Sequence, residues 1–194
     1  ESVSICLDSN DIVRFHSERI ARLINPNVRV VQISGQTEGS GCTALLAASQ
    51  LDQTNELLIV SANELIKADI AASLDEFRRN NFDGALLSFS SLNPRYSYVR
   101  LNKTSQAVEV SQRNPISKNA TTGLFWYKKT ADFVQSTKRM ILKENRTDDL
   151  FFIAPAFNEM ILSGLTIGVK SIERELYIPL KDTDQLREYQ RKLP

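Results

Sequence analysis

Histidine occurs once and cysteine twice in these 194 residues, and that scarcity closes off several chemistries. Cys6 and Cys42 make neither a disulfide framework nor a metal-ligand cluster. Cys6 lies in an apolar run and reads as a small core residue rather than a nucleophile. A Ser-His or Cys-His catalytic pair has only His16 as its base, and the stretch Val13-Arg14-Phe15-His16-Ser17-Glu18-Arg19 places that residue on a helix surface. The sequence contains no signal-peptide core and no apolar run long enough to span a bilayer, so a cytoplasmic protein without a membrane partner is expected. A net charge of +1 offers no basic patch for nucleic acid. Internal repeats, low-complexity tracts and heptads are also missing.

What remains is an ordinary globular composition, 42% hydrophobic and 24% charged, in a length suited to one well-cored domain over residues 1–194. Residues 2–7 alternate as a strand and run into Asp8-Ser9-Asn10-Asp11, a helix-start signal. Ile12, Val13, Phe15, Ile20, Leu23 and Ile24 then recur at helical spacing until Asn25-Pro26-Asn27. A second strand spans 28–33, followed by a small-residue loop at 34–41 and a helix over 42–49. Leu57-Leu58-Ile59-Val60 is a continuous apolar run and residues 84–89 read as another buried strand, the pattern of strands covered on both faces near the centre of a sheet. Residues 96–101, 107–112 and 122–127 read as a meander with polar turns. Helices follow over 131–143 and 152–163, then a strand at 166–172, an extended piece at 176–180 and a charged helix from Asp182. A strand pattern from the first residue suggests a piece of a longer polypeptide, with a homo-oligomer as the alternative assembly.

Strands alternating with helices in the first half imply parallel pairing, to which the meander adds antiparallel strands. Ligands in such sheets bind beyond the carboxyl ends of the strands, so the loops after Ile33 and Val60 carry most interest. In the first of these, Gly39 and Gly41 permit close backbone approach to a ligand, amides near the helix start face an anion or a base edge, and Thr37 or Ser40 caps the helix.

The order of segments Thr37-Glu38-Gly39-Ser40-Gly41-Cys42-Thr43, Leu57-Leu58-Ile59-Val60, Pro94-Arg95-Tyr96-Ser97-Tyr98-Val99-Arg100-Leu101 and Asn114-Pro115-Ile116-Ser117-Lys118-Asn119-Ala120-Thr121-Thr122-Gly123-Leu124 resembles the sugar-phosphate nucleotidyltransferases. The likeness is greatest to members described as glucose-1-phosphate nucleotidyltransferase-like, and it extends over nearly the whole chain. It implies an α/β fold: the three-layer αβα nucleotide-diphospho-sugar transferase (GT-A-like) architecture on a mixed, mainly parallel sheet. It also implies attack of a sugar-1-phosphate on the α-phosphorus of a nucleoside triphosphate, giving a nucleotide-sugar for surface polysaccharide and releasing pyrophosphate. Catalysis in such a reaction rests on in-line positioning and on charge neutralisation by Mg²⁺ and basic side chains.

By the same resemblance Thr37, Glu38, Gly39 and Ser40 form the nucleotide-binding segment. Ser97, Arg113, Asn114, Thr122 and Gly123 belong to the sugar and phosphate subsite, with Asn114 standing where a phosphate-binding lysine is usual and Arg113 able to restore that charge. Asn63 stands at the place of the Mg²⁺-binding aspartate. An amide carbonyl can coordinate Mg²⁺ but brings no negative charge. The late metal carboxylate falls near Pro179, and Asp182 and Asp184 read as cap and first-turn charges. The glycine-rich triphosphate loop that opens the family pattern has no match in these residues. Two further readings follow: a non-catalytic module binding a nucleotide or sugar phosphate, and a glycosyltransferase of the related fold. The latter normally needs a D-x-D motif that Ser61-Ala62-Asn63 does not supply.

Overall fold

The computed structural model describes residues 2–192. The chain opens with β1 (Ser4–Asp8), α1 (Ser9–Phe15), α2 (Ser17–Ile24) and β2 (Arg29–Ile33). β1 and β2 pair in parallel as a two-stranded sheet of their own. His16 does not sit within a helix as expected. It adopts a left-handed backbone (φ 52°) between α1 and α2 and splits the predicted helix in two. Neither short helix buries a residue, and Val13, Leu23 and Ile24 face outward. Cys6 is half-buried rather than part of the core.

After α3 (Ser40–Ala48) come β3 (Leu57–Val60), β4 (Glu64–Ile66), α4 (Ile70–Arg79), β5 (Gly84–Ser90), β6 (Ser97–Leu101), β7 (Ala107–Gln112) and β8 (Asn119–Tyr127). The remainder is α5 (Thr130–Leu142), α6 (Ala156–Leu162), β9 (Ile167–Ser171), β10 (Tyr177–Pro179) and α7 (Thr183–Arg191). The main sheet runs β7-β6-β8-β5-β9, with β3 joined antiparallel to β8. β5 pairs parallel with β9 and antiparallel with β8, so the sheet is mixed. β4 and β10 form a small antiparallel pair apart from it. No helix among the described residues is long and apolar enough to cross a membrane.

Period-2 alternation along β8 builds a core on each face. Phe125 and Tyr127 pack with Phe133 of α5 and Phe157 of α6, while Leu124 and Trp126 pack with Phe77 of α4 and with Tyr177. The result is three layers, with the sheet between α3, α5 and α6 on one side and α4 on the other. β5 is buried from Gly84 to Phe89, as its apolar run predicts.

The second apolar run behaves differently. Among the described residues β3 pairs only with β8, and its residues alternate: Leu57 and Ile59 join the core while Leu58 and Val60 are 39% and 50% exposed. An antiparallel strand can keep one face uncovered, and an unbroken apolar run does not reveal which face that is.

Candidate functional site

The loop after β2 is held by the chain itself. Phe151 donates its N–H to the Glu38 carbonyl at 2.8 Å, and Gly41 donates to the Phe151 carbonyl at 2.8 Å. A Cβ on Gly39 would collide with the Phe151 backbone, its nitrogen lying 2.8 Å away, and Gly39 also has φ 113°, a conformation side chains avoid. Glycine is therefore required here by loop-to-loop docking, a duty the sequence did not disclose. The capping expectation is corrected as well. Gly39 is the N-cap of α3 and no side chain caps it. Thr37 instead bonds the Gly39 carbonyl (3.2 Å) and the Thr43 hydroxyl (2.7 Å), and Ser40 is simply the exposed first residue of α3.

Arg146 closes this corner. Its guanidinium lies 4.1 Å from the Phe151 ring centroid and pairs with Glu38 at 2.9 Å and Glu144 at 2.6 Å. Beside the loop is an open cleft of about 260 Å³ whose lining includes Cys6, Asp8, Ile33, Thr37 and Thr43.

A second group forms where β3 ends. Three β8 residues (Thr122, Gly123 and Leu124) occupy the length that β5 crosses with Leu87 alone, a bulge that frees the Gly123 N–H from the ladder. That N–H is donated to the Glu64 carboxylate, whose other oxygen accepts the Tyr177 hydroxyl at 3.0 Å. Glu64 is 7% exposed. Burial pushes its carboxyl above the ordinary range, and the Gly123 N–H, the Tyr177 hydroxyl and the nearby Lys181 charge pull it partly back. Burial likewise drives the Tyr177 hydroxyl far up, reinforced by the Glu64 charge.

On a continued β3 strand Glu64 would point to the opposite face from Asn63. The chain leaves β3 through a turn at 62–63 instead and re-enters as β4, which carries Glu64 inward and leaves Asn63 exposed. A lone carboxylate in the stretch 61–66 was the available signal.

Ser97 donates its hydroxyl to Gln112 across the β6–β7 pair. Arg113, at φ 60°, pairs with Asp148, lies 5.7 Å from the Phe152 ring centroid and donates its backbone N–H to the Tyr96 carbonyl at 2.9 Å. Tyr96 packs edge-on against Tyr177, so this backbone bond connects the two groups. Asn114 is exposed and its carbonyl accepts the Ile116 N–H, while Thr122 is buried with its hydroxyl bonded to the Leu124 N–H. Asp182 caps α7 through the Gln185 N–H (2.9 Å) and pairs with Arg95 at 3.3 Å, as its ordinary reading predicts.

The expected Mg²⁺ does not fit these residues. Asn63 is a neutral amide, both Glu64 oxygens are engaged, and among the described residues no three His, Cys, Asp or Glu side chains are grouped to hold an ion. The place near Pro179, matched to the late metal carboxylate, does adjoin Asn63: Pro179 pairs with Glu64, and Leu180 donates its N–H to the Asn63 carbonyl at 2.9 Å. The two positions meet, but neither brings a carboxylate.

No protein-family model and no curated protein matches the chain. Solved structures do. A nucleoside-diphosphate-sugar pyrophosphorylase from Vibrio cholerae RC9 superposes with a TM-score of 0.81 over 99% of this chain and 81% of its own, at 19% identity. The chain has the fold of that protein. A Bacillus anthracis protein assigned as a glucose-1-phosphate thymidylyltransferase, solved with sucrose, gives 0.71 over 98% and 76% at 14% identity. The inositol-1-phosphate CTP transferase of T. maritima gives 0.67 over 95% and 73%, also at 14%. The shared fold accounts for the mixed sheet with helices on both faces.

Proposed function

We propose that the chain works in nucleotide-sugar metabolism for surface polysaccharide, binding a nucleoside triphosphate, a sugar phosphate or the nucleotide-sugar joining them. The observation that carries this reading is the fold match with three structures named for work on nucleotide-sugars or on sugar- and inositol-phosphates. The loop at 37–41 is the expected nucleotide side, and the 113–123 segment with Ser97 the expected sugar-phosphate side. One specific observation favours binding without turnover by this chain: the Asn63 and Pro179 positions adjoin, yet neither can neutralise charge through a bound metal. Losing one preorganised charge-stabilising group typically costs on the order of 100- to 1000-fold in rate.

The test is a thermal-shift panel of the four common nucleoside triphosphates, glucose-1-phosphate and nucleotide-sugars, together with pyrophosphate release from the same mixtures. A ligand that binds the native state raises its stability. Upward shifts with no pyrophosphate are the expected result. Robust release overturns the binding-only reading, and an unresponsive melting point across the panel overturns the ligand class.

A further inference from the structure

Lys181 follows the residue bonded to the Asn63 turn, and among the described residues its ammonium has no ion pair. The β4–β10 pair sets Pro179 opposite Glu64, and the Leu180–Asn63 backbone bond brings the next residue, Lys181, to the end of that turn. Its Nζ lies 4.8 Å from the Tyr96 ring centroid, which holds the ammonium by its quadrupole without neutralising it. The charged groups around it are otherwise committed. Arg95 pairs with Asp182, which also caps α7. Arg174 donates to the Tyr177 carbonyl at 2.7 Å and lies over the Phe89 and Tyr177 rings. Glu64 spends its oxygens on Gly123 and Tyr177 and acts on Lys181 only through space. Among the described residues Lys181 has a single hydrogen bond, through its backbone N–H to Gln185.

We propose that Lys181 is the phosphate-binding residue of this site, supplying from the chain the positive charge that a divalent ion would otherwise bring. The inference rests on the ligand class proposed above and narrows it to anions bound without metal. An ammonium is a compact point charge with three donors and suits a phosphate oxygen, whereas it has no use for an uncharged sugar. The adjoining Asn63 and Pro179 positions hold no carboxylate, and Glu64, the nearby anion, is bonded to Gly123 and Tyr177 rather than paired with the ammonium.

The experiment is calorimetric titration of the protein with glucose-1-phosphate and with UDP-glucose, in EDTA and in Mg²⁺, with uridine as an uncharged probe. Affinity for both phosphorylated probes should be the same in the two buffers. Lys181→Met keeps the aliphatic stem on Tyr96 and removes the charge, so it should weaken both by roughly 10- to 100-fold, the range of one hydrogen bond to a charged group. Lys181→Arg should retain most of the affinity, and uridine binding should be unchanged in either variant. A structural role would lower the melting temperature and weaken all probes together, which overturns the proposal. Binding that requires Mg²⁺, or a Lys181→Met variant as tight as wild type, overturns the role of Lys181 and leaves the ligand class standing. If wild type binds no probe at all, both fall.

Discussion

Gly123 and Glu64, 59 positions apart in the chain, meet as donor and acceptor beneath the β8 bulge. A β-carbon on Gly123 would collide with the Ser61 side chain and come within 2.7 Å of Glu64 Oε1. Gly123→Ala should therefore destabilise by about 1–3 kcal/mol, the usual cost of overpacking a closed site. Urea denaturation measures it. Adding Ser61→Gly should restore part of the loss, because Ser61 is the nearer obstruction.

Glu64 also makes a pH prediction. Its folded-state pKa lies above the ordinary carboxyl value of about 4.5, with burial the leading cause. The folded protein consequently holds the proton more tightly than the unfolded chain. Its contribution is most favourable below about pH 4.5 and is lost as pH rises through the raised folded value. Glu64→Gln keeps an acceptor for Gly123 and cannot ionise, so it should gain stability relative to wild type as pH rises through that window. Paired unfolding curves from pH 4 to 8 check the sign. A constant difference across the range contradicts it.

Gly39→Ala places a side chain at φ 113° and into the Phe151 backbone. Strain and collision act together, and a loss of at least about 2 kcal/mol is expected. Hydrogen exchange offers a local readout, because the Phe151 and Gly41 amides pair across this contact and should lose protection.

Arg146→Ala removes the ring contact with Phe151 and the ion pairs to Glu38 and Glu144. Both acids are well exposed, so those pairs contribute little. A small loss of stability is expected, mostly from the guanidinium on the ring. Salt should change this difference only slightly, which a denaturation series in NaCl tests.

Several elements were legible in sequence for stated reasons. The run from Gly84 to Phe89 is apolar on both faces except for Ser88, and the structure buries it completely. The equally apolar Leu57–Val60 gave the same signal and proved half-exposed, since composition reports what a strand tolerates and not what covers it. For the candidate site the sequence offered the loop at 37–41 and the 113–123 segment as expectations. It missed Phe151 and Arg146, which reach that loop from more than a hundred positions away.

The sequence by itself determined local pattern: alternating and continuous apolar strands, the amphipathic helices, the cap at Asp182, and the glycine positions where the backbone needed freedom. Only the tertiary structure decided what that freedom serves. Gly39 makes room for Phe151, and Gly123 makes room for Ser61 and the Glu64 carboxylate. It also decided that the turn at 62–63 brings Glu64 inward, and that Lys181 comes to rest on Tyr96 beside that turn. Periodicity is set by neighbours a few residues away and can be read along the chain. Close approach and charge environment are set by residues tens of positions apart, whose meeting depends on strand register and on bulges that the local pattern does not encode.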